Sequence, residues 1–259
     1  MNKPMLIQQV FEMRYEEGYR YLDRCGEAMI ILEKQLPEQT GKTWMPEEIV
    51  PSGARLKCPD LDLVVTFDSY HLIVDQNPAS EDTDFRSICD LLRAILIGRF
   101  DLRTFIRLGC RRFYMCAVDS IEEAEALSVK MSPFKDWPSS LKRKMDVRAC
   151  EAVSVHETPD GSTGIRFSIG PSSRIDAPLH VDQRLQLPPR LLPTGQRKAL
   201  LEQLKRRSQR QKEPLAGVLV DIDYYHVRPS AKSEIDGFLG MAAQAIEEFL
   251  PIIGTKGAA

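Results

Sequence analysis

Apolar side chains recur along this chain with two different periods, and the changes of period divide it into elements. Residues 5–15 alternate apolar and polar positions, which predicts a first strand. Beyond it Tyr15, Tyr19, Leu22, Met29, Leu32 and Leu36 recur at three, four or seven residues, the spacing of one helical face. Pro37 is expected to end that helix, because its ring cannot continue the ladder. Residues 61–74 hold two β-rich runs around Asp68-Ser69 and predict a hairpin. Asp82, Thr83 or Asp84 then caps a helix whose face carries Phe85, Ile88, Leu92, Ile95 and Leu96, with Gly98 placed as its C-cap.

Residues 105–116 alternate Ile106, Leu108, Cys110, Arg112 and Tyr114 against Phe105, Arg107, Gly109, Arg111 and Phe113, the pattern of a central strand. A short helix over 121–130 follows, with Glu122, Glu123 and Glu125 at the end the helix dipole favours for acids. Pro133, Trp137 and Pro138 mark an irregular connection. The runs 147–157 and 164–170 flank Thr158-Pro159-Asp160-Gly161, where proline presets φ and glycine accepts a positive φ, so a hairpin is predicted. Five prolines between 171 and 195 predict an extended, irregular stretch. Residues 196–212 read as a basic helix and 217–227 as a strand. Ser233 is expected to cap a last helix with Ile235, Phe238, Leu239, Ala242, Ala245, Ile246 and Phe249 on its apolar face, stopped by Pro251 and Gly254.

These elements predict an α+β fold: antiparallel sheet with amphipathic helices on one face, in two pseudo-similar halves. The halves are placed at 1–140 and 141–259, meeting near residues 135–146, with one continuous domain as the alternative. The 259 residues are ample for a buried core, and 43% hydrophobic with 28% charged residues sets the chain apart from disordered and coiled-coil compositions. No apolar run approaches the roughly 20 residues of a membrane span, and residues 1–7 lack the apolar core of a secretory signal. A soluble, cytoplasmic protein with no membrane partner is expected. The six cysteines stand singly, as buried free thiols would in a reducing compartment.

Four stretches together carry a resemblance: Glu12-Met13-Arg14-Tyr15, Pro59-Asp60-Leu61 leading into Val65-Thr66-Phe67-Asp68-Ser69, Arg107 to Phe113, and Val220-Asp221-Ile222-Asp223. They resemble a sporadically distributed bacterial family of unknown function whose members are about this length, although Cys110-Arg111-Arg112-Phe113 departs from the family's third motif. The resemblance implies an α+β fold and a patchy distribution of the kind seen for accessory, mobile or defence-related genes. It supplies no catalytic residue and no cofactor.

Chemistry can be tested residue by residue. GxGxxG, GxxxxGK[ST] and GxSxG are absent, as are zinc-ligand pairs of Cys and His, and no Asp or Glu stands two residues before a Lys downstream of Pro59-Asp60. No catalytic residue is assigned. Arg107 and Arg111 share a strand face on either side of Gly109, either as an anion clamp or as an ion-pair ladder with acids such as Asp62 and Asp68, with Thr66 beside them. Asp221 and Asp223 share a face of their strand with His226 on the other, either as a divalent-metal site or as a solvated face.

Charge is unevenly distributed. Residues 1–100 carry 11 basic and 17 acidic side chains, residues 101–213 carry 21 and 14, and residues 214–259 carry 3 and 6. Opposite signs in one chain favour self-docking as much as an outside partner. The basic helix holds Lys205, Arg206, Arg207 and Arg210, which would suit a nucleic-acid backbone, though no aromatic stacking residue accompanies them. The sequence is therefore read as a non-enzymatic interaction or accessory protein with a protein partner, itself or another, and no cofactor. A nucleic-acid-binding protein using residues 197–212 and a metal-dependent enzyme using Asp221 and Asp223 are the alternatives.

Overall fold

In a computed structural model, residues 4–16, 18–80, 84–131, 149–174, 185, 193–210, 215–230 and 232–255 of the chain are described. The first strand, β1, spans Met5–Tyr15, and helix α1 spans Arg20–Thr40. The helix runs through Pro37 instead of ending there. Pro37 sits one turn from the C-terminus, its carbonyl still accepts the Gly41 N–H at 2.8 Å, and Gly41 supplies the left-handed residue that ends the helix. A hairpin that the sequence pattern does not announce follows, β2 (Met45–Val50) and β3 (Gly53–Cys58). A single 3-10 turn at Pro59–Leu61 leads into the expected hairpin, β4 (Leu63–Phe67) and β5 (His71–Gln76). Its turn is fixed by Asp68, whose Oδ1 accepts from the Tyr70 and His71 amides at 2.6 and 2.9 Å.

Helix α2 (Phe85–Phe100) is capped by Asp84, whose side chain accepts from Ser87 N at 3.1 Å. It ends at Asp101 in the left-handed conformation, three residues beyond Gly98. Strand β6 (Phe105–Val118) and helix α3 (Ile121–Met131) come next; Ser120 Oγ caps α3 by accepting from the Glu123 amide at 3.2 Å, and the Glu123 carboxylate accepts from the Asp119 amide at 3.1 Å. The expected alternation of β6 breaks at its start. A bulge opposite Tyr15 turns Phe105 into the core with Leu108 and leaves Ile106 exposed.

Strands β7 (Ala152–Glu157) and β8 (Thr163–Arg174) form the predicted hairpin, with Gly161 at φ 68°. The first residues of the proline-rich stretch, 171–174, belong to β8; its continuation and the connection around 133–138 lie outside the described residues. Helix α4 (Thr194–Arg210), strand β9 (Leu215–Val227) and helix α5 (Lys232–Thr255) complete the chain. Helix α5 begins one residue before Ser233, so Ser233 lies inside the first turn, and Glu234 reaches back to the Ser230 amide at 3.0 Å. It continues through Pro251 and Gly254.

The nine strands among the described residues form one antiparallel sheet in the order β2-β3-β4-β5-β1-β6-β9-β8-β7. The α+β class follows directly, and so does the internal similarity. In each half the first strand pairs with the last strand of its own meander, a helix follows the first strand, and another follows the last. β1 and β6 then pair with each other at the centre, so the sheet runs unbroken from one half to the other. On one face, Phe11, Met13, Leu72, Val74, Leu108, Cys110, Val220 and Ile222 bury against the helices in a single core. Tyr21 of α1 meets Phe67 and Phe100 edge-on at 6.1 and 5.8 Å while its hydroxyl donates to Val50 O, anchoring the β2 end. All six cysteines are buried free thiols. Among the described residues no helix is long and apolar enough to cross a membrane.

Candidate functional site

The other sheet face carries the residues singled out from the sequence, and pairing of β6 with β9 brings them together. Across β1, β6, β9, β8 and β7 the register aligns Glu12, Gly109, Tyr225, Gly164 and Glu157 in one row and Val10, Arg111, Asp223, Arg166 and Val155 in the next. Gln8, Phe113, Asp221, Ser168 and Val153 make a third. Residues aligned in a row share a face, and long side chains reach diagonally to the next row.

Arg111 grips Asp221 with both arms of its fork, Nε to Oδ1 at 2.7 Å and Nη2 to Oδ2 at 2.5 Å. Arg107 bridges two strands, from Glu12 Oε2 at 2.5 Å to Asp223 Oδ2 at 2.7 Å, and Arg14 completes the chain on the other oxygen of Glu12 at 2.8 Å. The Arg107 guanidinium can span this gap because it lies over Gly109, where a Cβ would come within 2.9 Å of Nη1. It also lies 5.4 Å from the centre of the Tyr225 ring, and Arg111 lies 4.6 Å from that of Phe113. Tyr225 in turn rests on Gly164, where a Cβ would sit 2.5 Å from the ring, and its hydroxyl donates to Glu157.

The ladder reading of the arginines fits these contacts, with different partners from those expected. Glu12, Asp221 and Asp223 hold Arg107 and Arg111, in place of Asp62, Thr66 or Asp68, because the neighbours of β6 are β1 and β9 and not β4. Asp221 and Asp223 are not a solvated face either: Asp221 is only 8% exposed. Burial pushes the Asp223 carboxyl above its usual range, and the two guanidiniums offset this only in part. A divalent cation would have to displace both arginines to reach these carboxylates. His226 does lie on the opposite face, buried, with Nε2 2.9 Å from the Tyr224 hydroxyl and its ring edge-on to Phe238.

Helix α4 is committed within the chain on one side. Leu200 covers Met45 in a small cluster separate from the main core. Gln203 donates to the buried Asp62 at 2.8 Å, Arg207 lies 3.5 Å from the same carboxylate, and Arg206 donates to Pro59 O at 2.6 Å. The basic middle of the chain thus docks on its acidic beginning, while Lys205 stays exposed; the Arg210 side chain lies outside the described residues.

Glu12, which stands in the first of the four resemblance stretches, and Tyr225, Gly164, Ser168 and Arg166, which carry no motif, also belong to this face. Of the residues without a motif, the period-two continuation from Asp221 and Asp223 signals Tyr225 alone. Arg166 is exposed, stands beside Asp223 and Val155 in register, and has no ion-pair partner among the described residues. At the sheet's end Val153 and Val155 are 60% and 54% exposed on β7, whose sole strand neighbour among the described residues is β8. No protein-family model matches the chain, and no curated protein matches it.

Proposed function

We propose that this protein is a non-enzymatic accessory protein whose open sheet face receives another protein at the β7 edge. The observation that carries this reading is the pair of exposed valines on an edge strand, with Arg166, a cation that has no ion-pair partner among the described residues, between them and the locked ion ladder. An edge strand presents unpaired backbone donors and acceptors to a further strand, and alternate side chains of that strand would meet Val153, Val155 and Arg166. The partner is thus an extended segment with apolar and acidic residues. The ladder supports binding more than catalysis, since each carboxylate at its centre is paired with an arginine and Arg107 and Arg111 are each held by two hydrogen bonds.

The test is recovery of proteins from host lysate on tagged chain, with and without nuclease, using wild type, V155D and R166E. The wild type is expected to retain a protein in both halves, and each variant to retain about tenfold less, the loss typical of a removed interface anchor. If the partner is a second copy, light scattering gives a dimer that V155D dissociates. Retention that vanishes with nuclease, or that both variants leave unchanged, overturns the reading and turns attention to the exposed side of α4.

A further inference from the structure

A cavity of 580 Å³ opens on the helix side of the sheet, between the starts of β1 and α2, the middle of β6 and the far end of α5. Its floor is polar where the surrounding core is apolar. Gln9 and Arg112 are cross-strand partners that point into the helix layer, and Gln9 pairs in turn with Gln76 on β5. The two glutamines are provided for, Gln9 Nε2 donating to Gln76 Oε1 at 2.7 Å and Gln76 Nε2 to Leu61 O at 2.9 Å, and both are essentially buried. Arg112 is not so provided for: its Nε is buried and has no hydrogen-bond partner among the described residues.

A guanidinium donor left dry and unpaired is costly unless an acceptor arrives to meet it. The hydroxyl of Tyr114 lies against the same guanidinium, which draws its pKa down while burial raises it more. Asp84, Phe85 and Arg86 bring the first turn of α2 to the rim, where the Asp84 carboxylate already accepts from the Ser87 amide. Leu6, Phe85 and Leu250 provide an apolar wall. The volume falls within the range of small-molecule sites, and a guanidinium with one dry N–H and no ion-pair partner among the described residues, set beside an apolar wall, selects the chemistry of the occupant.

We propose that this cavity binds a small organic anion, its carboxylate or phosphate head seated on Arg112 and its apolar body against Leu6, Phe85 and Leu250. The site lies on the opposite side of the sheet from the docking face and does not depend on it. Glu247 and Asp84, both exposed at the rim, oppose the anion and limit its affinity.

Calorimetric titration of the full chain with phenyl phosphate, phenylacetate and neutral benzyl alcohol tests this. At least one anion is expected to bind about tenfold or more tightly than the alcohol, and the tighter of the two tells which head group the site prefers. R112Q is expected to weaken that anion at least about tenfold. E247Q leaves the core untouched and is expected to tighten it about two- to fivefold, so a folding defect in R112Q cannot hide the answer. V155D and R166E are expected to leave anion binding unchanged, which separates failure here from failure of the docking reading. Equal binding of alcohol and anions, no binding of either anion at about 5 mM, or an affinity indifferent to E247Q overturns the proposal.

Discussion

Arg111 and Asp221 show how a charged pair can be both half-buried and structural. The carboxylate is almost wholly withdrawn from water, so its stability depends on the two parallel bonds from a planar fork that lysine could not reproduce. R111M leaves that carboxylate unpaired and is expected to destabilise the protein by about 1–3 kcal/mol in urea unfolding, below the range of a fully buried pair because the arginine is partly solvated. Adding D221N should recover much of the loss, and a double-mutant cycle reads the coupling directly. Strictly additive effects would show that the two side chains contribute independently.

His226 makes the opposite case, a titratable group held neutral. Burial against Tyr224 and Phe238 lowers its pKa below 6.5, and Glu234 only partly offsets this. The unfolded chain therefore takes up a proton at a pH where the native chain has not, and stability falls as pH drops through the interval below 6.5. Between about pH 7.5 and 5 the wild type is expected to lose more stability than H226Q, measured as the shift in urea midpoint. Parallel pH profiles for the two would place the acid sensitivity elsewhere.

Among the elements, α2 has a defined start that a single atom controls. Asp84 accepts from the Ser87 amide, and these hydrogen bonds hold its carboxyl below the usual range. D84A is expected to cost about 1 kcal/mol of stability at neutral pH, as for other cap removals. Because the native pKa is depressed, the cap's contribution is complete above the ordinary carboxylate range and disappears as pH falls through the native value. Wild type and D84A should therefore converge in acid, which thermal melts across the pH range would reveal.

The elements also differ in how plainly the sequence announces them. β1, β6 and β9 are legible because one sheet face is buried and the other is not, so apolar residues alternate along each strand. β2 and β3 are not legible: Pro46, Glu47 and Glu48 interrupt the alternation, a bulge sits between Pro46 and Glu48, and the strands form only as the edge of a sheet begun elsewhere. Proline and glycine mislead at helix ends for a related reason. Pro37, Gly98 and Pro251 lie near the ends of helices that tertiary packing carries onward, and the left-handed endings fall to Gly41 and Asp101. The arginine and aspartate pairs are each visible as period-two neighbours. Their meeting is not, because Arg111 and Asp221 stand 110 residues apart and alternation says nothing about which strands become adjacent.

At the scale of the whole molecule the central question is what joins the two halves. The seam between the repeats falls between α2 and β6, ahead of residues 135–146, and there β1 and β6 pair over most of their lengths with Arg107 and Glu12 bonded across them. Alone, either half would expose a long central strand as an edge. A second tie runs from the connection between β8 and β9. These neighbouring strands need only a tight turn, yet the chain departs at Arg174 and returns at Leu215, placing α4 against the 3-10 turn and Asp62 of the first half. Both ties remove the independence that a duplicated topology would otherwise allow. The protein is therefore expected to unfold in urea as one cooperative unit, with far-UV circular dichroism and tryptophan fluorescence tracing the same transition. R206A with R207A should lower the midpoint without splitting the curve, since the β1–β6 seam remains. Two resolved transitions in the wild type would mean that each half holds its own fold and that the continuous sheet forms by docking of finished units.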